Sequence, residues 1–202
     1  MRSTLFLMVA ALLATAASTG CMETKVVEVI VKGETWADFQ HGPSATESFT
    51  DEYSVNLASV LDNTLMDAGY SRSEIKSALL NGGAYGVTVF SHTHDWTVGG
   101  QVLVQRTDGT PGPLEVAIDY STSLEAALGQ KIPITFIEDG TVVINQALTD
   151  YLAGGDPTLR FEVNNGDVAP DPSSSDRIQF EWRIWVQVQV IVEEEVEVPD
   201  PF

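Results

Sequence analysis

From Ile178 to Val192 the sequence alternates apolar and polar side chains almost without a break. Ile178, Phe180, Trp182, Ile184, Val186, Val188, Val190 and Val192 fall on one face, and Gln179, Glu181, Arg183, Gln187 and Gln189 on the other. A period of two is the signature of a strand buried on one side, and it fits an antiparallel sheet covered by a second layer. At about 3.3 Å per residue the run approaches 50 Å, well beyond the usual strand of about 5 to 6 residues. Such a length predicts a bend, a bulge or two successive pairings. Trp185 and Ile191 interrupt the polar face, so part of that face should be covered.

The remaining patterns supply partners. Lys25 to Lys32, KVVEVIVK, is a β-branched strand with Val27, Val29 and Val31 on one face, and a short strand is expected near Glu47 to Tyr53. Leu57, Val60, Leu61, Leu65 and Ala68 recur at helical spacing, with Gly69 placed to end the helix. Ser71 and Glu74 have capping-box spacing and predict a second helix over Arg72 to Leu80. Strands are expected at Tyr85 to His94, Trp96 to Arg106 and Leu114 to Tyr120, joined as a meander. After a turn or two of helix within Ser123 to Leu128, Lys131 to Ile137 reads as a strand ended by Asp139-Gly140. Val143, Ala147, Leu148, Tyr151 and Leu152 form another amphipathic helix, Leu159 to Asn164 a strand, and Asn165 to Asp176 a polar surface loop. The fold class is mainly β with two or three short helices, an antiparallel sandwich-like single domain over residues 25–202. The Val-rich segments near the two ends are plausible partners in one sheet.

Charge and cysteine content narrow the function. With 29 acidic and 10 basic side chains the net charge is −19, which argues against a nucleic-acid partner, since that affinity comes from Lys and Arg displacing counterions. A single cysteine allows no internal disulfide.

That cysteine is Cys21. Arg2, the apolar stretch Leu5 to Ala17 and the small residues Ser18, Thr19 and Gly20 precede it, an arrangement of export signals and too short to span a bilayer. Together they resemble a bacterial lipoprotein signal, with Ser18 departing from the Leu, Ile or Val usual at its place. The resemblance covers residues 1–21 only. It implies a signal peptide at 1–20, acylation of Cys21 and a lipidated tether at 21–24, on a mature chain of charge −20. General signal peptidase cleavage after Ala14-Thr15-Ala16 is the alternative, leaving a secreted or periplasmic protein.

Candidate ligand residues are few. His92 and His94 lie two apart on an expected strand and so share a face, where a zinc ion would need His41, Asp95 or a distant carboxylate to complete its shell; the bland reading is a pair of exposed histidines beside a turn. Asn164 and Asp167, with Asp171 and Asp176 downstream, have the oxygen-rich composition calcium prefers, though Asn-Gly-Asp is also ordinary turn chemistry. Trp96 and Trp185 are surface candidates for stacking on a sugar ring, whereas Trp182 belongs to the core. Glu193, Glu194, Glu195 and Glu197 read as a solvated end to the last strand. No nucleophile elbow, Walker loop or dinucleotide fingerprint is present. The expectation is a lipid-anchored, non-enzymatic envelope module that binds a protein or glycan or serves structurally. The alternatives are an extracytoplasmic metal-dependent enzyme built on His92 and His94, and a calcium-stabilised adhesion module.

Overall fold

The computed structural model describes residues 22–90, 94–108 and 112–199. Among the described residues eight strands run β1 (Met22–Ser44), β2 (Ser48–Asn56), β3 (Ile75–Phe90), β4 (Thr97–Arg106), β5 (Glu115–Ser123), β6 (Ile132–Ile134), β7 (Thr158–Ala169) and β8 (Ile178–Pro199). Three helices interrupt them, α1 (Leu57–Ala68), α2 (Leu124–Ala127) and α3 (Glu138–Leu152). One sheet has the order β1-β8-β3-β6 and the other β2-β7-β4-β5. The first two strands thus lie in different sheets, each next to one of the last two. All ladders between these strands are antiparallel. This interleaved pair of four-stranded sheets is a jelly roll, an antiparallel β-sandwich.

β8 lies inside its sheet, paired with β1 on one side and β3 on the other. Every residue of its apolar face from Ile178 to Val192 is buried. Two successive pairings do not occur along it: β1 runs beside nearly all of β8 on one side, and β3 beside Val192 to Phe180 on the other. The β3 side absorbs register shifts between Ile75 and Ser77, Leu80 and Gly82, and Val87 and Val89, while β1 follows β8 unbroken from Met22↔Pro199 to His41↔Phe180. Trp182 of β8 stacks on its register partner Phe39 of β1 at 4.8 Å within the sheet, and across the sandwich it lies 4.8 Å from Tyr120 of β5.

α1 forms where the helical spacing placed it. The Asn56 side chain accepts a hydrogen bond from the Ser59 N–H at 2.7 Å, and Gly69 closes the helix in the left-handed region at φ 86°. α3 bridges the two sheets, with Gly140 against Ala117 of β5 and the Asn145 amide oxygen accepting from the Leu80 N–H of β3 at 2.9 Å.

Several expectations are corrected. The Ser71/Glu74 capping box is present, but it starts only a 3-10 turn at Arg72–Glu74; the chain then enters β3, because Ile75 to Leu80 pair with the otherwise open edge of β8. Half of the meander forms: β4 pairs with β5 as expected, but β3 pairs with β8 and β6 and not with β4, so the chain changes sheets between β3 and β4. Asp139-Gly140 opens α3 rather than closing a strand. The tether expected at 21–24 is strand from Met22 onward, and Glu193 to Glu197 do not end the sheet but continue β8 against β1.

Candidate functional site

The sequence candidates do not gather into one centre. His92 and Cys21 lie outside the described residues. His94 is 62% exposed and its Nε2 lies 3.5 Å from an Asp176 carboxylate oxygen. His41 points into the sandwich, packed on Phe49 at 4.8 Å and Phe180 at 5.5 Å. Burial pushes its pKa down, and a backbone hydrogen bond with Thr46 offsets part of that. Asp95 is committed elsewhere: its carboxylate accepts from the Ser123 hydroxyl at 2.9 Å and the Glu125 N–H at 3.2 Å, capping α2. Among the described residues no three His, Cys, Asp or Glu side chains group to hold a metal ion.

The calcium loop is corrected by the reach of β7. Asn164 and Asp167 are not loop residues; they pair with Gln101 and Gly99 of β4 across a register shift, with Asn165 at φ 50°. The extra residue of that bulge explains the Asn-Gly pair without a ligand. Asp171 is exposed, and Asp176 sits in the shorter turn held by its own backbone pairing with Ser173. The four residues expected to share an ion are therefore divided between a strand and the turn after it.

Both tryptophans offered as surface platforms are buried. Trp96 is 1% exposed, turned inward just before β4 while its carbonyl accepts from the Leu124 N–H at 2.8 Å. Trp185 is on the outer face of β8 yet 8% exposed. The Lys131 ammonium lies 4.6 Å from its ring centroid, and the chain just before Lys131 crosses over Gly86, where an added Cβ would meet the Gln130 carbonyl oxygen at 1.9 Å. That crossing is the cover which the interrupted polar face called for. Beside it Arg183 is bonded to Asp38, at 2.9 Å through Nη2, and lies 4.8 Å from the Trp36 ring.

Two further features join segments distant in the sequence and carry no local signal. Asp62 of α1 accepts from the Tyr151 hydroxyl at 2.7 Å and from Arg72 at 3.2 Å, with the guanidinium stacked 3.9 Å from the Tyr151 ring. Burial, then the bond to Asp62, raises the Tyr151 pKa to about 12, so the phenol stays protonated and serves as a donor. The other is a groove of about 200 Å³ between the β4–β5 connection and α3, lined by Arg106, Pro113, Glu115, Asp139, Val142 and Gln146. It falls below the roughly 300 to 1,000 Å³ of small-molecule sites, and Arg106 is already paired with Asp108 and Asp150.

Strand order and inner-face packing make the chain a jelly-roll β-sandwich protein. No family model matches the sequence, and no curated protein matches it. Solved structures similar to it include those of Desmodium yellow mottle tymovirus, at 13% identity over all of both chains with a TM-score of 0.27, and infectious bursal disease virus Gt strain, at 13% identity over 97% of this chain and 47% of that one with a TM-score of 0.30. Turnip yellow mosaic virus is similar at 9% identity over 87% of this chain and 98% of that one, with a TM-score of 0.27.

Proposed function

We propose that this chain is an exported envelope protein, anchored to a membrane through lipid on Cys21, whose jelly-roll domain binds a protein or glycan or serves structurally rather than catalysing a reaction. The observation that carries the reading is the place of Cys21 in the sequence, one residue before Met22 of β1. Met22 already lies in β1 and pairs with Pro199 of β8. From Met22↔Pro199 to Glu28↔Glu193 these strands pair beyond the start of β3 at Ile75↔Val192. Seven residue pairs at about 3.3 Å give a ribbon roughly 23 Å long. Acyl chains on Cys21 would therefore hold the tip of a ribbon, with the sandwich standing away from the bilayer. Glu193, Glu194, Glu195 and Glu197 on that ribbon make electrostatic attraction to an anionic membrane surface unfavourable, which leaves lipid as the means of attachment. Two acyl chains suffice for stable anchoring at about 0.8 kcal/mol per buried methylene.

The test is the mass of the protein extracted from membranes with detergent. A mature chain starting at acylated Cys21 is expected, and Cys21→Ser should move the protein to the soluble fraction. A chain beginning at unmodified Ala17 would overturn the anchor.

A further inference from the structure

We infer that the free edge of β1 is a homodimer interface, in which two copies pair antiparallel about a two-fold axis through Ile30, normal to the sheet. β1 is the terminal strand of its sheet. In an antiparallel ladder a residue's N–H and C=O point to the same side, and successive residues alternate. Gln40 donates its N–H to the Asp51 carboxylate at 2.6 Å and so points away from β8. With no register shift between Met22 and His41, the even-numbered residues all direct their backbone groups outward. Asp51 blocks this edge at Gln40, and from Thr24 to Trp36 no other described strand pairs with it.

The side chains select the partner. Lysines on an edge ordinarily oppose pairing, but Glu28-Val29-Ile30-Val31-Lys32 is self-complementary about its centre. The two-fold places Glu28 opposite Lys32 of the second copy and Lys32 opposite its Glu28, on the outer face. Ile30, 53% exposed, meets its own equivalent, and Val29 meets Val31. Moving the axis one step along that face, to Glu28 or Lys32, would set like charges opposite each other. Glu28 also has a use for a second cation: it and Glu193 share the single Lys76 ammonium, at 2.9 and 2.5 Å. On the inner face Val27 comes opposite Gly33 of the second copy, beside the α1 helix whose Thr64 covers that glycine. The pairing needs no lipid.

The experiment is sedimentation velocity over a concentration series on the full chain carrying Cys21→Ser, so that acyl chains cannot drive association. A dimer is expected. Lys32→Glu makes both ion pairs repulsive and should raise the dissociation constant about tenfold. Glu28→Lys combined with Lys32→Glu restores opposite charges across the axis and should recover most of that loss. Ile30→Cys in the same background should give a disulfide-linked dimer on mild oxidation, since a hydrogen-bonded pair holds its Cα atoms about 5.5 Å apart, within disulfide reach. A monomer at every concentration, a Lys32→Glu dimer of unchanged affinity, or failure of Ile30→Cys to cross-link would overturn the proposal. None of these bears on the mass at Cys21, so the anchor and the dimer stand or fall separately.

Discussion

His41 is held neutral by what surrounds it. Two phenylalanine rings and a buried position disfavour the imidazolium, so the native pKa lies below 6.5. As pH falls through that value the unfolded chain takes up the proton more readily than the folded one, and this contribution to stability declines toward the depressed native pKa. Melting temperature should therefore fall more between pH 7.5 and 5.5 in the wild type than in His41→Leu; parallel curves would remove His41 as the cause. Gly140 is the second residue whose role depends on its neighbours. In an isolated helix, alanine is favoured over glycine by about 1 kcal/mol. Here a Cβ would lie 2.4 Å from the Ala117 Cα and 3.0 Å from the Val116 carbonyl oxygen, both of β5. Overpacking costs about 1 to 3 kcal/mol, so Gly140→Ala should lower the urea midpoint rather than raise it. Sequence alone offered Gly140 only as a turn residue, since the contact that needs it is made by a strand more than twenty positions away.

At the scale of elements, local signals served where the element closes on itself. α1 carries its own start and stop in Asn56 and Gly69, and both act as their residue types require. Asn56→Ala removes the cap on Ser59 and the 2.7 Å bond from its side-chain amide to Asp156. A loss of about 1 kcal/mol is expected in chemical denaturation, while far-UV circular dichroism should stay unchanged. β8 was legible for the same reason, its period of two being written into one segment. The segment after Ser71 was not, because a capping box and several good helix formers compete there with an open edge on β8 that the segment itself does not reveal. Pairing prevailed over local propensity, a common outcome when a strand would otherwise leave backbone groups unpaired.

For the whole molecule, charge dominates. A net −19 on 202 residues opposes compaction by self-repulsion, and salt screens it over a Debye length of about 10 Å at 0.1 M. Thermal stability should rise from low to moderate sodium chloride, and sodium chloride should act much as a calcium salt of equal ionic strength; a selective effect of calcium would instead reveal a bound ion. Of the candidate residues, the sequence revealed little about their surroundings. His94 is exposed as a histidine beside a turn would be, but Trp96 and Trp185 are covered, one by the core and the other by the chain crossing at Gln130 and Lys131. By itself the sequence determined that this protein is a β-sandwich, with one long half-buried strand and one helix, α1, that carries its own limits, because alternation and capping are properties of contiguous residues. The tertiary structure alone decided the strand order, the ribbon formed by the chain's two ends and the cover over the outer face. Those follow from which distant edges and faces meet, a competition among pairings that no single segment encodes.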